Sequence, residues 1–156
     1  MTQKKLVEFI NRHPGDTAWI FGKGPSIDSF DVSTAGPIRC AINDVIGIVP
    51  DCLYGFACDS VGDWADLYRP EHTLFTPRRT IDDQFLRPVL PDCDVVIFDD
   101  THGTDQNFLE PRDPERLAHQ LQIRSGTLGS ALQILFIMGI RRIIAVGIDG
   151  GQAHAG

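Results

Sequence analysis

The sequence is short of positive charge and has no long apolar run. Fourteen Lys and Arg stand against 21 Asp and Glu, a formal net charge of −7, and no basic tract appears. Phosphate neutralisation dominates general nucleic-acid binding, so no nucleic acid is expected as a partner, although a local pocket for one small anion remains open. The longest apolar stretch, 128–139, contains Gln133. It falls short of the roughly 20 residues that a membrane span needs. The four cysteines (Cys40, Cys52, Cys58, Cys93) include no CxxC pair, and Cys40, Cys58 and Cys93 lie in or beside strand-like runs where a thiol packs as a small hydrophobe. Buried thiols and a reducing, cytoplasmic setting are the expectation, and no signal peptide is read at the N-terminus. Five scattered histidines show no metal-ligand spacing, and no GxSxG or Cys–His signature occurs.

What is present is a series of short apolar runs closed by turn residues. The run 17–21 ends at Gly22, 38–42 at Asn43 and Asp44, and 53–58 at Asp59. A weaker run covers 73–76, the run 95–98 precedes Asp99, and 143–148 precedes Asp149. Runs this short and this apolar read as strands buried on both faces, as in a parallel sheet. The clearest helix covers 127–138: Ser125 or Thr127 can cap it, Leu128, Ala131, Leu132, Leu135 and Phe136 form its stripe, and Gly139 fits a left-handed stop. A second helix is expected over 61–68, and an amphipathic N-terminal helix within 1–14. Residues 77–93 and 101–124, rich in Pro, Asp and Arg, read as long loops. The expectation is one α/β domain over 1–156, Rossmann-like, with a mostly parallel sheet flanked by helices. Residues 147–156 carry no closing helix, which reads as a C-terminal truncation of that fold.

In open parallel sheets ligands sit outside the carboxyl ends of the strands, so the polar residues there are the candidate site. Gly22, Lys23, Gly24, Pro25 and Ser26 follow the first strand directly. The glycines let backbone N–H groups approach an anion, Ser26 adds a hydroxyl donor, Lys23 a point charge, and Pro25 fixes φ for a helical start. The loop lacks the ending of a Walker motif and the third glycine of the dinucleotide fingerprint, so a glycine-rich turn without a ligand is the competing reading. Asn43 offers a donor and an acceptor to a base or ribose edge, or merely caps the turn after it. Asp59 either meets ribose hydroxyls or a divalent cation, or is a solvated strand end. Ser125, Gly126 and Thr127, beside Arg124, form a second anion site or a plain helix cap. Asp149 closes the last strand. His154 can serve as an acid or base, as can His102, but a histidine near a frayed end is commonly just solvated.

Four elements together carry a resemblance: GKGPSID after the first strand, IND after the second, VPDCLYGFACD around the third, and SGTLGSALQILFIMGIRRIIAVGID. The combination resembles a superfamily of bacterial lipooligosaccharide sialyltransferases, flagellin-modifying motility accessory factors and archaeal 6-hydroxymethylpterin diphosphokinase-like proteins. It covers residues 18–149. The sialyltransferase branch implies that Gly22, Gly24, Pro25, Ser26 and Asn43 hold a cytidine nucleotide, with Ser125, Gly126 and Thr127 near the donor phosphate and sugar. This chain departs from that branch at Lys23, where Asn is usual. The branch's catalytic His lies beyond the last strand, where His154 is the one candidate. The segment 50–59 looks more like the diphosphokinase-like and flagellin-modifying branch, which implies Mg²⁺ held near Asp59 and transfer from ATP.

Three functions follow as expectations. The first is a nucleotide-dependent transferase, of the CMP-sugar glycosyltransferase kind, acting on a small-molecule nucleotide or nucleotide-sugar. The second is an ATP- and Mg²⁺-dependent diphosphokinase-like transferase. The third is a nucleotide-binding accessory protein without turnover. Assembly as a homo-oligomer is open under each of the three.

Overall fold

Largely apolar runs of β-branched and aromatic residues assemble here into one sheet whose inner strands are covered on both sides. In the computed structural model the residues described are 2–58, 62–82, 91–101, 114, 118, 121–122 and 126–149. The strands are β1 (Gln3–Lys4), β2 (Thr17–Phe21), β3 (Arg39–Ile42), β4 (Tyr54–Phe56), β5 (Thr73–Pro77), β6 (Asp94–Phe98), β7 (Asp100–Thr101), β8 (Leu121–Gln122) and β9 (Arg142–Val146). Seven of them form a sheet in the order β1-β6-β5-β4-β3-β2-β9. Every ladder in it is parallel. β7 and β8 make a separate two-stranded parallel ladder. The chain has a Rossmann-like α/β fold.

Alternation along each strand divides the core. Ala18, Ile20, Cys40, Tyr54, Phe56, Phe75 and Val96 face the helix α2 (Gly126–Ile137), which brings Ala131, Ile134 and Leu135 onto them. Phe21, Ala41, Leu74 and Val95 face the other way. Among the described residues the cover there is 3₁₀ rather than α-helical. Ile27, Val45, Ile46 and Tyr68 come from short 3₁₀ turns and their flanks, at Pro25–Ser29, Asn43–Gly47 and Gly62–Leu67. The expected helix over 61–68 is therefore a 3₁₀ turn. Pro25, Gly36, Pro37, Gly47 and Pro50 punctuate the first two of these connections too densely for α-helix to propagate. A short α1 (Arg78–Asp82) follows β5 inside the expected loop 77–93. The rest of that loop over 83–90, and most of 101–124, lie outside the described residues.

The N-terminal helix expected within 1–14 is replaced by edge strand β1, paired with Val95 and Val96, and one 3₁₀ turn over Leu6–Phe9. The reason lies at the far end of α2. Gly139, at φ 87°, ends that helix in the left-handed region, and the final carbonyls then need donors. The amides of Asn11, His13 and Gly15 donate to the carbonyls of Ile137, Met138 and Gly139 at 2.9, 2.8 and 2.9 Å. A segment whose alternate amides cap another helix cannot also be a helix. Leu6 and Phe9, three residues apart and eclipsed in a 3₁₀ turn, remain buried.

Candidate functional site at the strand ends

From β2 the chain runs outward through β3, β4, β5 and β6, whereas β9 lies on the opposite flank of β2. The strand order reverses there, and a reversal leaves a crevice beyond the carboxyl ends because the connections diverge to either side. The register brings three ends level: Phe21 aligns with Ala41 of β3 and with Val146 of β9. Residues 22–26, 43–44 and 147–149 thus leave the sheet side by side.

The first and last of these segments are fastened together. Gly22 N–H donates to the Val146 carbonyl at 2.8 Å and Gly24 N–H to the Gly147 carbonyl at 2.7 Å. Ser26 donates its amide to Asp149 Oδ2 at 2.7 Å and its hydroxyl to Asp149 Oδ1 at 2.6 Å. The Ser26 hydroxyl oxygen accepts in turn from Gly147 N–H at 2.9 Å. The Ser26 hydroxyl, and after it the Ser26 amide, hold the exposed Asp149 carboxyl below the usual carboxylate range. The backbones approach so closely that a Cβ on Gly147, itself at φ 69°, would run into the Gly22 carbonyl oxygen. On Gly24 a Cβ would stand 2.5 Å from Asp149 Oδ2 and 2.8 Å from the Gly147 carbonyl oxygen. In this arrangement the glycines admit another stretch of the same chain.

The second contact joins β2 to β3. Lys23 Nζ reaches Asp44 Oδ2 at 2.8 Å, with both side chains partly exposed. The neighbouring Asn43 has φ 56°, a left-handed value that a residue with a Cβ adopts at a cost. Its Oδ1 is buried and has no hydrogen-bond partner among the described residues. An orphaned buried acceptor on a strained backbone at a strand end is an arrangement that points to a ligand's donor.

Gly126 and Thr127 lie at the same edge. One turn into α2, Ser130 Oγ is 3.5 Å from the Cys58 sulfur, just past β4, and 3.4 Å from the Gly126 carbonyl. The opposite end of α2 meets residues 11–15, which lead into β2 at its amino end. Thr127 is buried, and among the described residues no hydrogen bond joins it to the 22–26 loop. The contacts therefore connect Gly22, Lys23, Gly24, Ser26, Asp149 and the Asn43–Asp44 turn, with Pro25 exposed between them. Gly126 and Thr127 share the edge with that group. Asp59, Ser125, His154, His102 and Arg124 lie outside the described residues.

Sequence reasoning missed Asp44 as the counter-charge of Lys23, and the buried polar residues beneath the edge. Thr80 Oγ1 donates to the Cys58 carbonyl at 2.6 Å, and the fully buried Thr76 has an Oγ1 without a partner among the described residues. A Thr inside an apolar strand was the available signal. All four cysteines are buried thiols. Burial pushes the Cys52 thiol up to about 12 and that of Cys93 to about 11, which leaves both protonated and unreactive at neutral pH. Among the described residues no group of His, Cys, Asp or Glu could hold a metal ion. The two carboxylates at the edge are already engaged, Asp44 by Lys23 and Asp149 by Ser26. Among those residues no helix is long and apolar enough to cross a membrane.

No protein-family model, no curated protein and no solved structure matches the chain.

Proposed function

We propose that the carboxyl edge at β2, β3 and β9 binds a nucleotide-like small molecule, and that the chain is a nucleotide-dependent transferase of the CMP-sugar glycosyltransferase kind its motifs resemble. The observation that carries this reading is Asn43, with its left-handed backbone and its buried, unpartnered Oδ1. Leaving such an acceptor unsatisfied costs about 1–3 kcal/mol, which a base N–H or ribose O–H would recover. Lys23 is exposed beside it and can turn its ammonium from Asp44 to a phosphate. Transfer then needs a base for the acceptor hydroxyl, for which His154 is the candidate.

A second reading, nucleotide binding without turnover, draws support from the engagement of both Ser26 donors by Asp149. A thermal-shift series with CMP, CDP, UDP, GDP and ATP, each with and without Mg²⁺, tests the binding that both readings share. A ligand at a hundred times its Kd adds about 2.7 kcal/mol to stability. At least one nucleotide is expected to raise Tm for the parent chain and to raise that of Asn43→Gly clearly less. No shift with any of them at millimolar concentration overturns both readings. Donor consumption by the same chain then separates a transferase from a binding protein.

A further inference from the structure

We propose that Asp149 is the resident anion of the 22–26 loop, so that a ligand phosphate reaches Ser26 only after the Asp149 carboxylate has let go. The inference rests on the nucleotide-site reading above and concerns how that site is regulated. Both donors of Ser26 end on the two oxygens of this one carboxylate, at 2.7 and 2.6 Å. The Gly22 and Gly24 amides are spent on Val146 and Gly147, and Pro25 has no N–H to give. A phosphate oxygen placed at Ser26 would need the same amide and hydroxyl, and two anions within hydrogen-bond reach repel.

The carboxylate lies against the loop, with Oδ2 2.5 Å from where a Gly24 Cβ would stand. Asp149 is nevertheless solvent-exposed. It can rotate away from Ser26 without bringing any core residue into water. The closed state thus presents the nucleoside-reading acceptor of Asn43 while withholding the phosphate-reading donors of Ser26. In that state Lys23 stays paired with Asp44, and a nucleoside and its monophosphate bind with similar affinity. Release of Asp149 is what makes the phosphate count.

The experiment follows the Ser26 amide by NMR during titration with inorganic phosphate, in the parent chain, Asp149→Ala, Asp149→Asn and Ser26→Ala. Cytidine and CMP affinities are measured on the same proteins. Phosphate is expected to half-saturate the Ser26 amide shift of Asp149→Ala at a concentration at least tenfold lower than in the parent, and to bind Ser26→Ala no better than the parent. The CMP-to-cytidine affinity ratio is expected to stay under threefold in the parent and to exceed tenfold in Asp149→Ala. Should that variant fail to fold, Asp149→Asn, which keeps an acceptor for Ser26 but no charge, decides the matter in the same direction. Phosphate binding no tighter in either Asp149 variant, or a parent that already prefers CMP tenfold, overturns the proposal and leaves the nucleotide site standing. A gain in phosphate binding with neither cytidine nor CMP bound by any of the proteins supports the proposal and overturns the nucleotide site.

Discussion

Ser26 and Asp149 stand 123 positions apart, and both hydrogen-bond donors of the one end on the carboxylate of the other. This contact, with Gly22 and Gly24 bonded to Val146 and Gly147, makes the first and last segments of the strand-end edge a single unit. Its rigidity comes from backbone contact, because side chains at 22, 24 and 147 would hold the two segments apart.

Gly147→Ala should therefore be among the most damaging single changes in the described core. The left-handed φ alone costs about 1–2 kcal/mol, and the Cβ also strikes the Gly22 carbonyl oxygen, so the total should exceed ~3 kcal/mol. Gly15→Ala is the control. It has a similar positive φ of 83° but open space around the added Cβ, and should cost only about 1–2 kcal/mol. Urea unfolding of the two variants checks the ranking, and equal losses would show that the close approach contributes nothing.

The strands were legible because a doubly buried run is apolar along most of its length. Thr17–Phe21 and Asp94–Phe98 fall where the apolar runs placed them, and Gly139 ends α2 as its position suggested. Less legible was whether a connection winds as an α-helix or a 3₁₀ turn, since both bury residues three apart, as Leu6 and Phe9 show. The 22–26 loop shows a different limit. Its glycines signal close approach, but the sequence does not say whether a ligand or another stretch of chain approaches. Spacing cannot reveal the partnership of Ser26 with Asp149, nor that Asn43 takes a left-handed backbone.

Arg39 is predicted to fasten the connections on either side of β3. Its guanidinium donates to the carbonyls of Gly36, Ala35 and Pro50 at 3.2, 3.0 and 3.1 Å. Arg39→Ala strands three carbonyls and should cost about 2–4 kcal/mol. Its ion pair with Asp51 is long, at 3.7 Å, and Asp51 is almost fully exposed. Asp51→Asn should therefore change stability by less than about 0.5 kcal/mol. Chemical denaturation of both variants measures the contrast, and a large loss in Asp51→Asn would move the weight onto the ion pair.

Stability should fall as pH drops below the ordinary histidine range. Desolvation by burial is the largest cause lowering the affinity of both His13 and His72 for a proton, with Arg12 and Arg69 adding to it and Asp16 and Glu71 opposing it. A folded-state pKa below the unfolded value of 6.5 means that the unfolded chain binds more protons in that window. The contribution is then fully present above pH 6.5 and is lost as pH falls through the folded values. His72 also has a geometric reason to stay neutral, because its Nδ1 accepts from the Arg69 amide at 2.9 Å. His72→Asn retains an acceptor that does not titrate. Unfolding free energies between pH 7.5 and 5.5 should slope less in that variant, and an unchanged slope would remove His72 from the account.

Asn43→Gly separates the cost of this residue from its use. Glycine adopts φ 56° without a Cβ penalty, and the change deletes an Oδ1 that is buried without a partner. Both effects favour the variant, whereas the added chain entropy of glycine opposes it, so stability should stay within about 1 kcal/mol of the parent. Asn43→Ala also loses the orphaned acceptor but keeps a Cβ in the left-handed region, and should be the less stable of the two by about 1 kcal/mol. If Oδ1 serves a ligand, both variants lose nucleotide binding by at least about tenfold, the scale of one hydrogen bond to a buried acceptor. Thermal melts give the stabilities and calorimetric titration the affinities. A residue that only shaped the turn would leave the affinity of Asn43→Gly unchanged, because the backbone it needs is the one glycine supplies. Loss of binding at preserved stability is the outcome expected of a contact residue.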